Sequence, residues 1–281
     1  MNTPTTTPSR LLAATALSAG FAASSALASN TLDTSPAGYT HAAAQDEEAE
    51  TPLGPPDESI FTASNWDGSF SAGLNGSSGN NENFNFRAGF SMKKETLRNA
   101  AKLGVTYTYA SSDGDANENE VNANARYDWL FPDSKWRIYL TATYEYDDFQ
   151  EWDHRITFGP GIGYQAIKND RTDLLLRIAP VLAVREFGGM DNEWRAEVNP
   201  GLDFSHKITD RQTFTTTLDF YSEIGDFDKY RFVGSAGWRI EMDPDAGLFL
   251  ELGIEDEYDS DPGTGFKKND FAYYATVGWS F

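Results

Sequence analysis

The chain is 281 residues long, with 43 acidic against 22 basic residues, a net charge of −21, a mean hydropathy of −0.52 and no cysteine. That balance excludes nucleic acid or anionic lipid held through a basic patch, and the missing thiols exclude disulfides and thiolate metal centres. Low mean hydropathy does not exclude a membrane barrel, which needs only every second residue apolar, and an aromatic share of 14% suits one whose rims are anchored by Trp and Tyr.

Residues 1–28 read as an export signal. Arg10 supplies the positive end, residues 11–23 a short apolar stretch, and Ala26-Leu27-Ala28 a small-x-small cleavage site. Residues 29–64 contain no Lys or Arg and gather Asp46, Glu47, Glu48 and Glu50, which predicts a disordered acidic tail in the periplasm.

From residue 65 to 281 apolar side chains recur at every second position, in twelve segments separated by polar turns. The first carries Phe70, Ala72 and Leu74; the second Phe84, Phe86 and Phe90; the third Leu103, Val105 and Tyr107; the fourth Val121, Ala123, Tyr127 and Trp129. The fifth has Trp136, Ile138, Leu140 and Tyr144, and the sixth Ile156, Phe158, Ile162 and Tyr164. In the seventh the phase is Leu174, Leu176, Ile178, Leu182 and Val184; in the eighth Trp194, Val198, Leu202 and Phe204; in the ninth Phe214, Leu218 and Phe220. Tyr230, Phe232, Trp238 and Ile240 mark the tenth, and Leu248, Leu250, Leu252 and Ile254 the eleventh. The last ends FAYYATVGWSF, with Phe271, Tyr273, Val277, Trp279 and Phe281 on one face.

Each segment is long enough for the ~9–11 tilted residues that cross a membrane, so the predicted fold is all-β: a single twelve-stranded antiparallel transmembrane barrel. An even strand number returns both ends to one side, read as the periplasm, with the bacterial outer membrane as the location. Short turns at residues 131–134, 168–171, 208–211 and 243–246 belong on that side, and Trp66, Trp129, Trp136, Trp238 and Trp279 fall at the same rim. Pro160, Pro180 and Pro200 sit mid-strand, where a missing N–H breaks a ladder bond, and predict bulges or a seam. The terminal aromatic strand predicts recognition by the barrel-assembly machinery, and the apolar face predicts contact with outer-membrane lipid.

Several motifs resemble the YdiY-like salt-induced outer-membrane proteins: Asn65-Trp66-Asp67-Gly68, Ser78-Gly79-Asn80-Asn81, the run from Tyr144 to Phe149, Asp153-His154-Arg155, and Gly159-Pro160-Gly161-Ile162-Gly163-Tyr164. The resemblance covers the whole barrel. It implies an outer-membrane barrel without an assigned activity and brings no catalytic residues.

The opposite phase of the strands carries the candidate lumen-lining residues Arg87, Arg126, Asp128, Arg137, Glu145, Arg155, Arg177, Arg195, Glu197, Arg231, Arg239 and Glu251, with Arg185, Asp173, Asp203, Asp219 and Glu241 in the same phase. Two roles stay open for them: cross-strand ion pairs that fill a narrow lumen, and the wall of a passive channel for ions or small solutes. Arg suits both, because its fork pairs with carboxylates and keeps its charge.

No cofactor or enzymatic activity is predicted. A phospholipase would need His two residues before a Ser nucleophile, which neither His154 nor His206 satisfies, and His154 beside Asp148, Glu151 and Asp153 fits a solvated rim better than a protease. Carboxylates cluster at residues 113–120, 147–153, 226–228 and 256–261, which predicts an acidic outer rim open to divalent cations such as Ca²⁺. As calcium motifs, Asp113-x-Asp115-x-Asn117 and Asp259-x-Asp261-x-Gly263 are incomplete, and no metal centre is assigned.

Overall fold

The computed structural model describes residues 59–62, 65–78, 82–189, 193–263 and 265–281. The export signal and almost all of the acidic tail lie outside them. Twelve strands run in sequence: β1 (Asp67–Ser77), β2 (Asn83–Glu95), β3 (Asn99–Ser112), β4 (Asp115–Leu130), β5 (Trp136–Asp147), β6 (His154–Lys168), β7 (Thr172–Phe187), β8 (Glu193–Thr209), β9 (Gln212–Glu223), β10 (Asp226–Asp243), β11 (Leu248–Asp259) and β12 (Asn269–Ser280). Each pairs antiparallel with its neighbours in sequence, and β12 returns to β1, closing the barrel.

The period-two pattern has a direct outcome. Ile138, Leu140, Phe158, Ile162, Leu176 and Ile178 point outward and are each 43–48% exposed, too many large apolar groups on one belt for a surface that meets only water. Trp129, Trp136, Trp238 and Trp279 are exposed at the end of the barrel that holds β1's start and β12's finish, here called the near end. Near-end connections are no longer than residues 131–135, whereas the far end extends to residues 260–268.

Strands of up to 18 residues overshoot the ~9–11 that a membrane requires. Many acids expected in far-end loops therefore lie on strand extensions: Glu118 and Glu120 in β4, Asp147 in β5, Asp226 in β10, Glu257 in β11. Residues 59–62, read from composition as tail, form a turn on the near rim. Lys94 Nζ donates to Ser59 O at 3.2 Å and Thr62 O at 3.1 Å, and Phe61 stacks on Tyr127.

At the prolines the pairing is irregular, as they predicted, but the change of facing that follows was not expected. In β7 the pairing with β8 shifts between Ala179 and Leu182, and the pairing of β6 with β7 shifts opposite it. One extra residue at Pro180-Val181 makes a β-bulge, and a one-residue slip sends every later side chain to the other face. Leu182 and Val184, expected to meet lipid, are thus buried inside at 1% and 0% exposure. Arg185, expected inside, lies outside over Trp194 and Phe187. Pro160, Pro180 and Pro200 stand side by side on β6, β7 and β8 around this bulge. A lipid-soluble quencher is expected to reach probes at Leu140, Leu250 and Ala183 and to miss those at Glu251 and Val184. Equal quenching at Ala183 and Val184 would contradict the bulge.

Beside the prolines, β6 turns glycines inward. A Cβ on Gly161 would fall 2.1 Å from Tyr139 Cζ, and one on Gly163 would fall 2.8 Å from Arg137 Cγ. The flat strip lets the long side chains of β5 lie across β6.

The closing seam is short. β1 and β12 pair only through Ser69, Phe70, Ser71 and Ala72 against Ser280, Trp279, Gly278 and Val277. Phe281 extends it, exchanging backbone hydrogen bonds with Gly68 at 2.8 and 2.9 Å while its ring covers that glycine.

Candidate functional site: the charged bore

Alternation places the polar phase inside, and there arginines and carboxylates from distant strands meet. At one level Arg126 of β4 bonds Asp128 at 3.0 Å and reaches Asp203 of β8 at 2.7 Å. Three strands lie between β4 and β8, so this pair crosses the interior instead of following the wall. Arg177 of β7 takes the second oxygen of Asp203 at 2.8 Å and Asp219 of β9 at 3.0 Å. Arg137 of β5 approaches Asp128 at 3.6 Å and donates to Gln165.

Nearer the far end a second set reaches from β5 to β11. Arg155 of β6 bonds Glu186 at 2.6 Å and Glu145 at 3.2 Å, and stands 3.7 Å from Glu257 of β11. Arg231 of β10 meets Glu257 at 3.5 Å, with Glu145 and Glu197 at 3.7 Å. Arg195 joins Glu186 at 2.6 Å to Glu197 at 2.9 Å. Trp152 lies 4.0 Å from the Arg155 guanidinium. Along the opposite wall, Arg87 pairs with Glu255 at 2.5 Å and lies over Tyr274, while Arg239 pairs with Glu251 at 2.9 Å and lies over Phe249.

Charges as buried as Arg155, Glu186 and Asp128, at 4%, 2% and 0% exposure, are tolerable only when each finds several partners. The forked guanidinium supplies them, holding two or three carboxylates at once.

All twelve residues singled out in the sequence lie on the inward phase, but they divide into two groups. Arg87, Arg126, Glu145, Arg177, Arg239 and Glu251 border open space. Asp128, Arg137, Arg155, Arg195, Glu197 and Arg231 are packed within the cross-bore bridges. Sequence reasoning missed Glu186, Tyr139 and Gln165. The first carried a signal, because an acid in phase with Leu182 and Val184 cannot face lipid.

A cavity of about 1160 Å³ runs beside the bridges. Its lining extends from Lys168, Asp170 and Arg171 at the near end to Glu118, Asp147 and Asp270 at the far end. A second space of about 1050 Å³, bordered by Asp210, Glu241 and Asp245 near one end, shares Lys93, Lys102, Arg87 and Glu255 with the first. His154 is on the outer wall, its Nδ1 3.0 Å from the Tyr144 hydroxyl and its ring stacked on Phe187; His206 lies 2.9 Å from Thr172 Oγ1. Among the described residues no group of three or more His, Asp or Glu side chains is gathered closely enough to hold a metal ion.

Comparison with curated proteins gives no match. Among solved structures the chain is similar to the KdgM porin, at 12% identity over 77% of this chain and 99% of that one, with a TM-score of 0.43. The NanC porin is similar at 13% identity over 76% and 98%, TM-score 0.43. An outer membrane channel from Pseudomonas putida F1 is similar at 10% identity over 82% and 100%, TM-score 0.46. At these values the likenesses say nothing of what this barrel does. A family model matches residues 70–281, and the chain belongs to that family, described as Protein of unknown function, DUF481.

Proposed function

We propose that this barrel spans the bacterial outer membrane and acts as a narrow passive channel for ions or small solutes, with its acidic tail and C-terminus in the periplasm. The observation that carries the reading is the cavity lined from one rim to the other. Its volume of about 1160 Å³ is divided along the whole height of the barrel. That admits hydrated ions or a small solute and not a folded chain. Arg126 Nη2, Arg177 Nε and Tyr139 Oη are buried with no protein partner, and such groups are costly unless water reaches them, which supports a wet bore.

The second reading is a non-conducting structural protein of the envelope, favoured by the Arg155 and Arg231 bridges that cross the interior. Vesicles carrying the purified barrel separate the two: release of K⁺ with retention of a large anionic dye is expected, and retention of both would establish the structural role. We also assign the barrel to the salt-induced type, for which the test is a rise in its level on osmotic challenge.

The short seam gives Phe281 a part in assembly. Deleting it removes two backbone hydrogen bonds at the closing pair and the ring over Gly68. The expected result is less folded, heat-modifiable barrel in the outer membrane; unchanged assembly would count against recognition of the terminal strand by the assembly machinery.

A further inference from the structure

The charges along the through-going cavity are sorted by height once those locked in ion pairs are set aside. At the far mouth Arg155, Arg231 and Arg87 are each committed to carboxylates, at 2.6, 3.5 and 2.5 Å. Glu118, Glu120, Asp147 and Asp270 line the same mouth with no Lys or Arg in ion-pair contact among the described residues. The near half of the passage shows the reverse. Lys168 is shared by Glu95 and Asp173, at 3.2 and 3.0 Å. Among the described residues Lys102 and Lys207 have no such partner, and Lys93 has only Asp67 at 3.9 Å. Asp170 and Arg171, adjacent in one turn, offset each other. The acids Asp210, Glu241 and Asp245 line the adjoining space only, whereas Lys93 and Lys102 line both.

We infer that the passage is polarised, with an acidic far mouth that draws in cations and a basic near half that draws in anions, so that it rectifies current. The inference rests on the channel reading and adds its specificity-determining residues: Glu118, Asp147 and Asp270 at one end, Lys102 at the other. The physical reason lies in what each region concentrates. A low-dielectric wall of one sign raises the local concentration of counter-ions. With the far compartment positive, cations enter through the acids while anions enter through the lysines, and both accumulate. With the voltage reversed, both are drawn out through their own region and the passage is depleted.

Single-channel current–voltage curves at 0.1 M KCl test this, with orientation fixed by a Lys267→Cys label reacted from one side, the chain having no native cysteine. The wild type is expected to pass more current when the far side is positive. The triple variant E118Q/D147N/D270N should lose that asymmetry. Raising salt to 1 M should do the same, since screening shortens from about 10 Å to about 3 Å. These amides keep side-chain shape and break no ion pair, and heat-modifiable mobility verifies that the variant is folded. A linear curve from a conducting wild type overturns the inference and leaves the channel reading standing. Rectification that survives the triple variant unchanged overturns the assignment to these residues. Absence of current overturns the channel reading and this inference with it.

Discussion

Replacing Arg155 by Ala is expected to cost the barrel about 3–5 kcal/mol, the range for removing one partner of a buried ion pair. The substitution strands Glu186, which is 2% exposed and bonded to Arg155 at 2.6 Å. Arg195 also holds Glu186, at 2.6 Å, and limits the loss without cancelling it. The bridge from β6 to Glu257 on β11 and the stacking on Trp152 go as well. Arg155→Lys should recover part of the loss, because it restores the charge but not the fork. The measurement is the urea midpoint of the heat-modifiable form in lipid vesicles. A midpoint unchanged in Arg155→Ala would mean that the bridges contribute nothing to the stability of the barrel.

The second large effect is expected at Gly161→Val. An added Cβ meets Tyr139 Cζ at 2.1 Å, and Tyr139 is 1% exposed, with Arg126 lying 5.7 Å from its ring. Overpacking of this kind costs about 1–3 kcal/mol or more where the neighbour cannot move. Tyr139→Ala alone should cost about 3–5 kcal/mol through the cavity it leaves. Because valine would occupy part of that space, the double variant is expected to be less destabilised than the sum of the two, the signature of direct contact. Simple additivity would contradict the packing of β5 across the glycine strip of β6.

The outward face was the legible part of this chain. Alternation over segments such as Ile156, Phe158, Ile162 and Tyr164 fixes strand and facing together, since period two admits one apolar side only. Closure follows from the same segments, because an open edge in lipid leaves backbone groups unpaired. What alternation cannot reveal is where the phase slips. Pro180 marked an irregularity, yet only Glu186, an acid among residues assigned to lipid, betrayed that Leu182 and Val184 had turned inward. The site was legible as a list of charges and not as contacts. Whether Arg126 pairs along its own strand or crosses to Asp203 depends on barrel width and on the height of β4 against β8, neither of which a single strand encodes. Glu257 looked like a loop acid because strand length past the membrane is invisible in the apolar pattern; in the fold it is a partner of Arg231.

Passage of water and ions along the bore beside the bridges is tested most directly in a planar bilayer. The purified barrel, shown to be folded by its heat-modifiable mobility, is expected to give discrete current steps whose size rises with KCl concentration. Folded protein that inserts and yet gives no steps above bare lipid would contradict the account, and would leave Arg126, Arg155, Arg177 and Arg231 as struts of a sealed envelope protein.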